Sequence, residues 1–394
     1  MHRFALFLAA CTATPSDTAS ADTDTADTAS TPNDADGDGV PAADDCDDRD
    51  PSVGVGHVTF AAAPDTQMPL SDAEFFTLAD LDGDGTKDLA VDDLSAGILQ
   101  VYAGKGDGTY AETAREWSTP LEPARIEAAD LDGDGATDLV LATYLGQKVV
   151  VYLQNGADLE ATELDSDSVN DMDLGDLDGD GRLDIVVSTA TDAEVFINAG
   201  DGSFGAAKAF EMPVGPYGVA LGDLDGDGTL DIAVTSYNEG TVRVMHGDGD
   251  GDFAPLGDVP ALFASDNGRL VDLAGDGALD LVVAGGEGSV VTLLGHGDGT
   301  FADTVVYATD TEAWLPLLVD VTADGQDDLL AITDGLIAFP GTGGGAFGAY
   351  TPWGSTTGVA WVEHQDVNGD ALPDLVALNY GGRLQTWLGD RSCD

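Results

Sequence analysis

The chain has 394 residues, with 74 acidic against 13 basic side chains and a formal net charge of −61 at pH 7. Such a polyanion keeps itself soluble and repels other polyanions, which excludes nucleic acid as a partner. Its length suits one large repeat domain rather than several unrelated ones.

The start reads Met1-His2-Arg3, a short apolar stretch over residues 4–10, then Cys11. One positive residue and small residues before a cysteine resemble a bacterial lipoprotein signal, with Leu8-Ala9-Ala10-Cys11 as its lipobox. The resemblance implies that residues 1–10 are a signal peptide, cut before Cys11, and that the Cys11 sulfur is lipidated. Thr12 then carries no inner-membrane retention signal of the enteric kind. The stretch falls short of the roughly 20 apolar residues of a membrane span, so the lipid is the only route to a membrane. The expected location is the bacterial cell envelope, at the outer membrane or cell surface. The alternative is an ordinary or truncated secretion signal and a secreted protein.

Residues 11–33 are mostly Thr, Ala, Asp, Ser and Pro, a composition that predicts a disordered stalk. Residues 34–56 are acidic. Asp34, Asp36, Asp38 and Asp45 with Gly39 match positions 1, 3, 5, 12 and 6 of a 12-residue calcium loop. The segment also resembles the "DGDG…DDCDD" metal-binding motif of secreted proteins from myxobacteria and their relatives. The alternative is more stalk.

From residue 57 the chain is periodic. The pattern D-x-D-G-D-G-x-x-D begins at Asp80, Asp130, Asp176, Asp223, Asp272, Asp320 and Asp366. A period of this size is the mark of a repeat architecture. Calcium takes six to eight oxygens at about 2.3–2.6 Å, and alternate residues of a curled loop converge on one point. In the first copy Asp80, Asp82 and Asp84 supply positions 1, 3 and 5, the Thr86 carbonyl position 7, and Asp88 closes the cage. Gly85 at position 6 supplies the positive φ of the turn. The second copy offers Asp130, Asp132, Asp134, the Ala136 carbonyl and Asp138; the third Asp176, Asp178, Asp180, the Arg182 carbonyl and Asp184. The fourth offers Asp223, Asp225, Asp227, the Thr229 carbonyl and Asp231.

The last three copies are incomplete. Copy five keeps Asp272, Asp276 and Asp280, with Ala274 at position 3. Copy six keeps Asp320, Asp324 and Asp328, with Thr322 and Ala323 at positions 3 and 4. Copy seven offers Asp366, Asn368, Asp370 and Asp374, but Ala371 stands where Gly belongs. Four complete sites are expected, and up to about eight with the incomplete copies and the stalk loop. The competing reading is that these are Asp-Gly turns without an ion.

Each ninth position is followed by a short apolar run, such as Leu139-Val140-Leu141 or Ile185-Val186-Val187, which predicts a buried strand. A second run, a Gly-rich turn and a third extended stretch follow. Four strands in each of seven units predict an all-β, seven-bladed β-propeller. The sequences "GDLDGDGTLDIAV" at 222–234 and "GHGDGTF" at 295–301 resemble the FG-GAP or VCBS repeats of integrin-α-like propellers. The resemblance covers residues 57–394. It implies that the Asp loop joins the first and second strands of each blade and binds calcium.

The ends predict how the ring closes. Residues 57–63 look like a fourth strand without a blade, and the last unit lacks one, so they complete the seventh blade beside residues 384–388. With Cys11 lipidated, Cys46 and Cys393 flank this closure, and an export route permits a disulfide between them.

No H-E-x-x-H, G-x-S-x-G or P-loop occurs, so no catalytic residue is assigned. His246 and His296 fall in Gly-rich turns and read as solvated turn residues. Tyr144, Tyr237 and Tyr380 recur after the second strand, and Trp117, Tyr217, Trp314 and Trp353 lie near the connections between blades. Aromatics there suit sugar or peptide contact; the alternative is packing between blades. The expectation is a monomeric, non-enzymatic, calcium-binding adhesion module for a protein or glycan ligand. The alternative is a propeller enzyme acting on polysaccharides or phosphoesters.

Overall fold

A computed structural model describes residues 57–392, apart from residues 64–65, 71, 95, 121, 157, 263–264, 286–287 and 355. The features read at Cys11, the stalk, Asp34, Asp36, Asp38, Asp45, Cys46 and Cys393 lie outside the described residues.

Seven antiparallel sheets form the ring, six of four strands and one of five, with a two-stranded ribbon of Gly341–Gly343 and Ala346–Phe347 beside them and no helix among the described residues. Blade 4 shows the plan, with strands Pro216–Gly222, Asp231–Ser236, Thr241–Gly247 and Phe253–Pro260 hydrogen-bonded in that order. The first strands touch one another in a closed circuit: Phe76–Ala79, Pro123–Ala129, Val169–Gly175, Pro216–Gly222, Ser265–Val271, Trp314–Val319, Val359–Gln365 and back to the first. They therefore line the ring axis. The Asp loop links first and second strands in every blade and gathers at one end of the ring.

The apolar run after each loop is the second strand, sandwiched between neighbouring blades. Asp88–Asp93, Asp138–Thr143, Asp184–Thr189, Asp231–Ser236 and Asp280–Gly285 are buried along their whole length. Burial on both faces explains why they read as continuous hydrophobic runs rather than alternating ones. Each buried Val, Leu or Ile contributes about 1.5–3 kcal/mol. The fourth strands form the rim, and Asp158–Asp165 is mostly exposed.

Blade 7 combines the two ends of the chain. Its strands are Val359–Gln365, Asp374–Asn379 and Arg383–Ser392, and the fourth is His57–Ala62. His57 pairs with Ser392 and Ala62 with Trp387, so the closure expected from the ends is present. Thr66–Gln67 adds a second short pairing to the same C-terminal strand. The aromatic seam beside it tilts Trp353 against Trp387 at 5.1 Å and sets Phe60 edge-on to Trp353 at 6.0 Å.

Candidate metal centres

Each Asp loop is curled by its own carboxylates. In the first copy Asp80 accepts the Gly83 and Gly85 N–H groups at 2.7 and 2.9 Å, and Asp84 accepts the Thr86 N–H at 2.8 Å. Asp366 does the same for Gly369 and Ala371, at 2.7 and 2.9 Å. Position 6 is left-handed throughout, at φ 89° for Gly85 and 66° for Ala371. Position 4 follows suit even where alanine replaces glycine, with Ala323 at φ 59°.

The ninth-position Asp has a double role that the repeat pattern does not reveal. Asp88 accepts the Leu81 N–H on one oxygen at 3.0 Å and the Gly104 N–H on the other at 2.8 Å. Asp138, Asp184, Asp231, Asp280, Asp328 and Asp374 bridge their own blades in the same way. These carboxylates tie the loop to the end of the third strand. Burial raises the pKa of Asp88, Asp138, Asp184, Asp231, Asp280 and Asp374, and the backbone N–H bonds oppose that rise.

Ligand oxygens converge in the four complete loops. Asp80, Asp82 and Asp88; Asp130, Asp132 and Asp138; Asp176, Asp178 and Asp184; and Asp223, Asp225 and Asp227 each bring atoms within 4.8 Å of one another. Among the described residues the loops at 272–280, 320–328 and 366–374 form no such group. The donors suit a hard, oxygen-seeking cation. Position 7 behaves differently from copy to copy. The Thr86 and Thr229 hydroxyls donate to Asp84 and Asp227, both at 2.6 Å, while the Arg182 guanidinium pairs with Asp180. The third loop thus carries a cation of its own against one carboxylate.

His246 is not a free turn residue. Its Nδ1 lies 3.1 Å from an Asp225 oxygen and 3.3 Å from an Asp231 oxygen. The turn-residue reading is corrected because His246 belongs to the third strand, Thr241–Gly247, at the edge of the Asp loop.

A second charged group lies along the ring axis. Arg125 is fully buried, pairs with Glu127 at 2.7 Å and sits over the Trp361 ring at 4.9 Å. The axial carboxylates also stitch adjacent first strands. Asp171 and Asp173 accept the Val219 and Leu221 N–H groups of the next blade at 3.0 and 2.9 Å. Glu363 accepts the Leu78 N–H at 3.2 Å. Burial pushes Glu363 up to about 8 and Asp173 to about 6, and raises Glu127 well above its ordinary value while Arg125 opposes the rise. Burial and the nearby Arg125 lower Arg269 to about 10. Sequence reading missed this group, although its signal exists as alternating charges in "ARIEAAD" and "VNDMDLGD" just before the loops. At the loop end of the axis a cavity of about 670 Å³ is lined by Thr77, Lys87, Glu127, Leu174, Gln365 and Asn368.

Most of the singled-out aromatics pack inward. Trp117, Trp314 and Trp353 are partly buried against the core. Tyr237 is the exception, 46% exposed and tilted over Tyr217 at 5.9 Å.

A family model described as FG-GAP-like repeat matches residues 80–141, 130–187, 176–234 and 272–331, more than half of the chain. The structure is similar to that of an Agrocybe aegerita lectin, described by its specific recognition of non-reducing terminal N-acetylglucosamine. That likeness has 22% identity and a TM-score of 0.52, covering 72% of this chain and 80% of the other. It is also similar to a chain from a complex of BBS1N with ARL6DN, soaked with lead, at 14% identity and a TM-score of 0.62. There the match covers 85% of this chain and 98% of that one. The mercury-soaked form gives 15% identity and a TM-score of 0.61. No curated protein gives a match. At these identities the solved structures speak to the fold alone.

Proposed function

The chain belongs to the FG-GAP-like repeat family, and from that membership we propose that it is a calcium-binding propeller that holds a protein or carbohydrate ligand without catalysing a reaction. The four converging Asp loops support the calcium part: clustered carboxylates repel one another unless a cation lies between them. Ligand binding occurs on the opposite face, where the second strands end.

The observation that carries the binding reading is an apolar step on that face. Val214 is 65% exposed beside Tyr237, and the Tyr237 N–H donates to the Gly215 carbonyl at 2.8 Å, fixing the two segments together. Tyr217 backs the Tyr237 ring. A supported, half-exposed aromatic beside an aliphatic residue suits a sugar ring or a peptide side chain. The test is a glycan and protein pulldown with and without calcium. Tyr237→Ala should weaken capture by about tenfold or more while leaving the melting temperature near wild type. Equal capture by wild type and variant would refute this surface.

The second reading, an enzyme acting on polysaccharide or phosphoester, draws on Glu127, which lines the axial cavity with its pKa raised by burial. A hydrolase screen in which Glu127→Gln abolishes turnover would favour it. Lipid anchoring at Cys11 and display at the envelope belong to the same proposal. So does a Cys46–Cys393 clasp, which the pairing of His57 with Ser392, the neighbour of Cys393, supports. Two alkylated thiols in the non-reduced protein would count against the clasp.

A further inference from the structure

We propose that the blade 4 loop is a mixed nitrogen–oxygen centre that takes a zinc-class transition-metal ion through His246, Asp225 and Asp231. This rests on reading the Asp loops as cation sites and concerns which ion this loop selects.

The geometry singles this loop out. Asp225 belongs to two overlapping ligand groups: Asp223, Asp225 and Asp227, all oxygen, and Asp225, Asp231 and His246, with one nitrogen. His246 Nδ1 is buried and makes no hydrogen bond, although carboxylate oxygens lie 3.1 and 3.3 Å away. Donors about 2.0–2.2 Å from one small ion stand about 2.8–3.6 Å apart in octahedral or tetrahedral arrangements. Imidazole favours zinc and its neighbours, whereas calcium takes oxygen ligands.

An independent observation shows that the histidine has been released from another task. The residue before the amide that binds the ninth-position Asp is Leu153 in blade 2, Ile197 in blade 3, Leu294 in blade 5 and Leu388 in blade 7. Each packs against a turn glycine of the next blade: Gly202, Gly251, Gly345 and Gly108 in turn. His246 is the blade 4 counterpart, yet the glycine of blade 5, Gly299, meets Leu256 instead. Leu256 is an inserted residue. Val244 pairs with Gly257 and Met245 with Pro255, so a bulge in the fourth strand leaves Leu256 unpaired. The bulge fills the slot between blades from another strand, and position 246 faces the Asp loop with a ligating side chain.

The test counts bound metal in the full chain after chelator stripping, reloading with Zn²⁺ in excess Ca²⁺, and gel filtration. Wild type should hold one more zinc equivalent than His246→Leu, which installs the blade 5 residue and returns the loop to its oxygen ligands, so that the variant holds one calcium more. His246→Gln should lose the same equivalent and serves if the leucine variant folds poorly. Zinc affinity at the site should fall more than about tenfold in either variant. Equal zinc counts in wild type and both variants overturn the assignment and leave His246 as an ion-pair partner of Asp225. Displacement of the extra zinc by calcium also overturns it. A zinc equivalent lost with His246 in a protein that holds no calcium would sink the calcium reading and leave this one standing.

Discussion

Asp280 isolates what the ninth loop position does where the rest of the ligand set is incomplete. Its carboxylate is fully buried and accepts N–H groups from Leu273, Ala274 and Gly295. Asp280→Asn would set an amide NH₂ against backbone donors, and should cost about 2–4 kcal/mol in urea unfolding, with calcium or with chelator alike. Exposed Asp82 should behave in the opposite way. Asp82→Ala should change stability by less than about 0.5 kcal/mol in chelator and remove only the calcium-dependent increment. Ala371 and Ala323 hold left-handed backbone at φ 66° and 59°. Either residue changed to glycine should gain about 1 kcal/mol, seen as a higher melting temperature. The strain at Ala371 is legible in the sequence, because six sister loops have glycine there. The role of His246 is not, because Asp225 and Asp231 reach it only through the fold. What separates His246 from His296 is strand register: the first stands where four of the other six blades place Leu or Ile, the second one residue past Gly295.

At the scale of the element, the blade is set by the second strand and its loop, and both are plain in the repeat. The ring closure is legible too, since the last unit lacks a strand and residues 57–63 lack a blade. The first strands carry no such local signal. Arg125, Glu127, Asp173 and Glu363 face an axis that exists only once seven blades have met, so no local pattern announces their partners. Closure gives a direct prediction. A chain lacking residues 1–62 loses the pairing from His57 to Ala62 and exposes the edge of Arg383–Ser392. Unpaired edges template aggregation, so the truncated chain should lose its cooperative unfolding and elute as larger species in size-exclusion chromatography. A monodisperse, cooperatively folded product would refute the closure role.

For the whole molecule, the proposed cation loops and the titrating axial groups lie in separate places. A loop site with a dissociation constant of about 10⁻⁴ M gains about 1.4 kcal/mol from about 1 mM calcium. Four such sites approach the roughly 5–15 kcal/mol of an ordinary domain. Chelation should therefore lower the melting temperature steeply, and an unchanged melt in excess chelator would contradict calcium stabilisation. The axis answers to pH. Glu363 moves from 4.5 to about 8 on folding, and Asp173 from 3.8 to about 6. Both are raised, so the folded chain holds protons that the unfolded chain releases. Their contribution is complete below the unfolded values and is lost as pH rises through about 6 and then about 8. Glu363→Gln should flatten the fall in melting temperature between about pH 4.5 and 8.

The shared seventh blade also imposes an order in time. Among the described residues, the earliest strand, His57–Ala62, pairs with the latest, Arg383–Ser392. Until that final segment emerges, the growing chain is an open arc with apolar blade faces uncovered at both ends. Contacts so distant in sequence form slowly. Ring completion is therefore expected to limit refolding, and an arc left open before it would be the form most open to proteases and self-association.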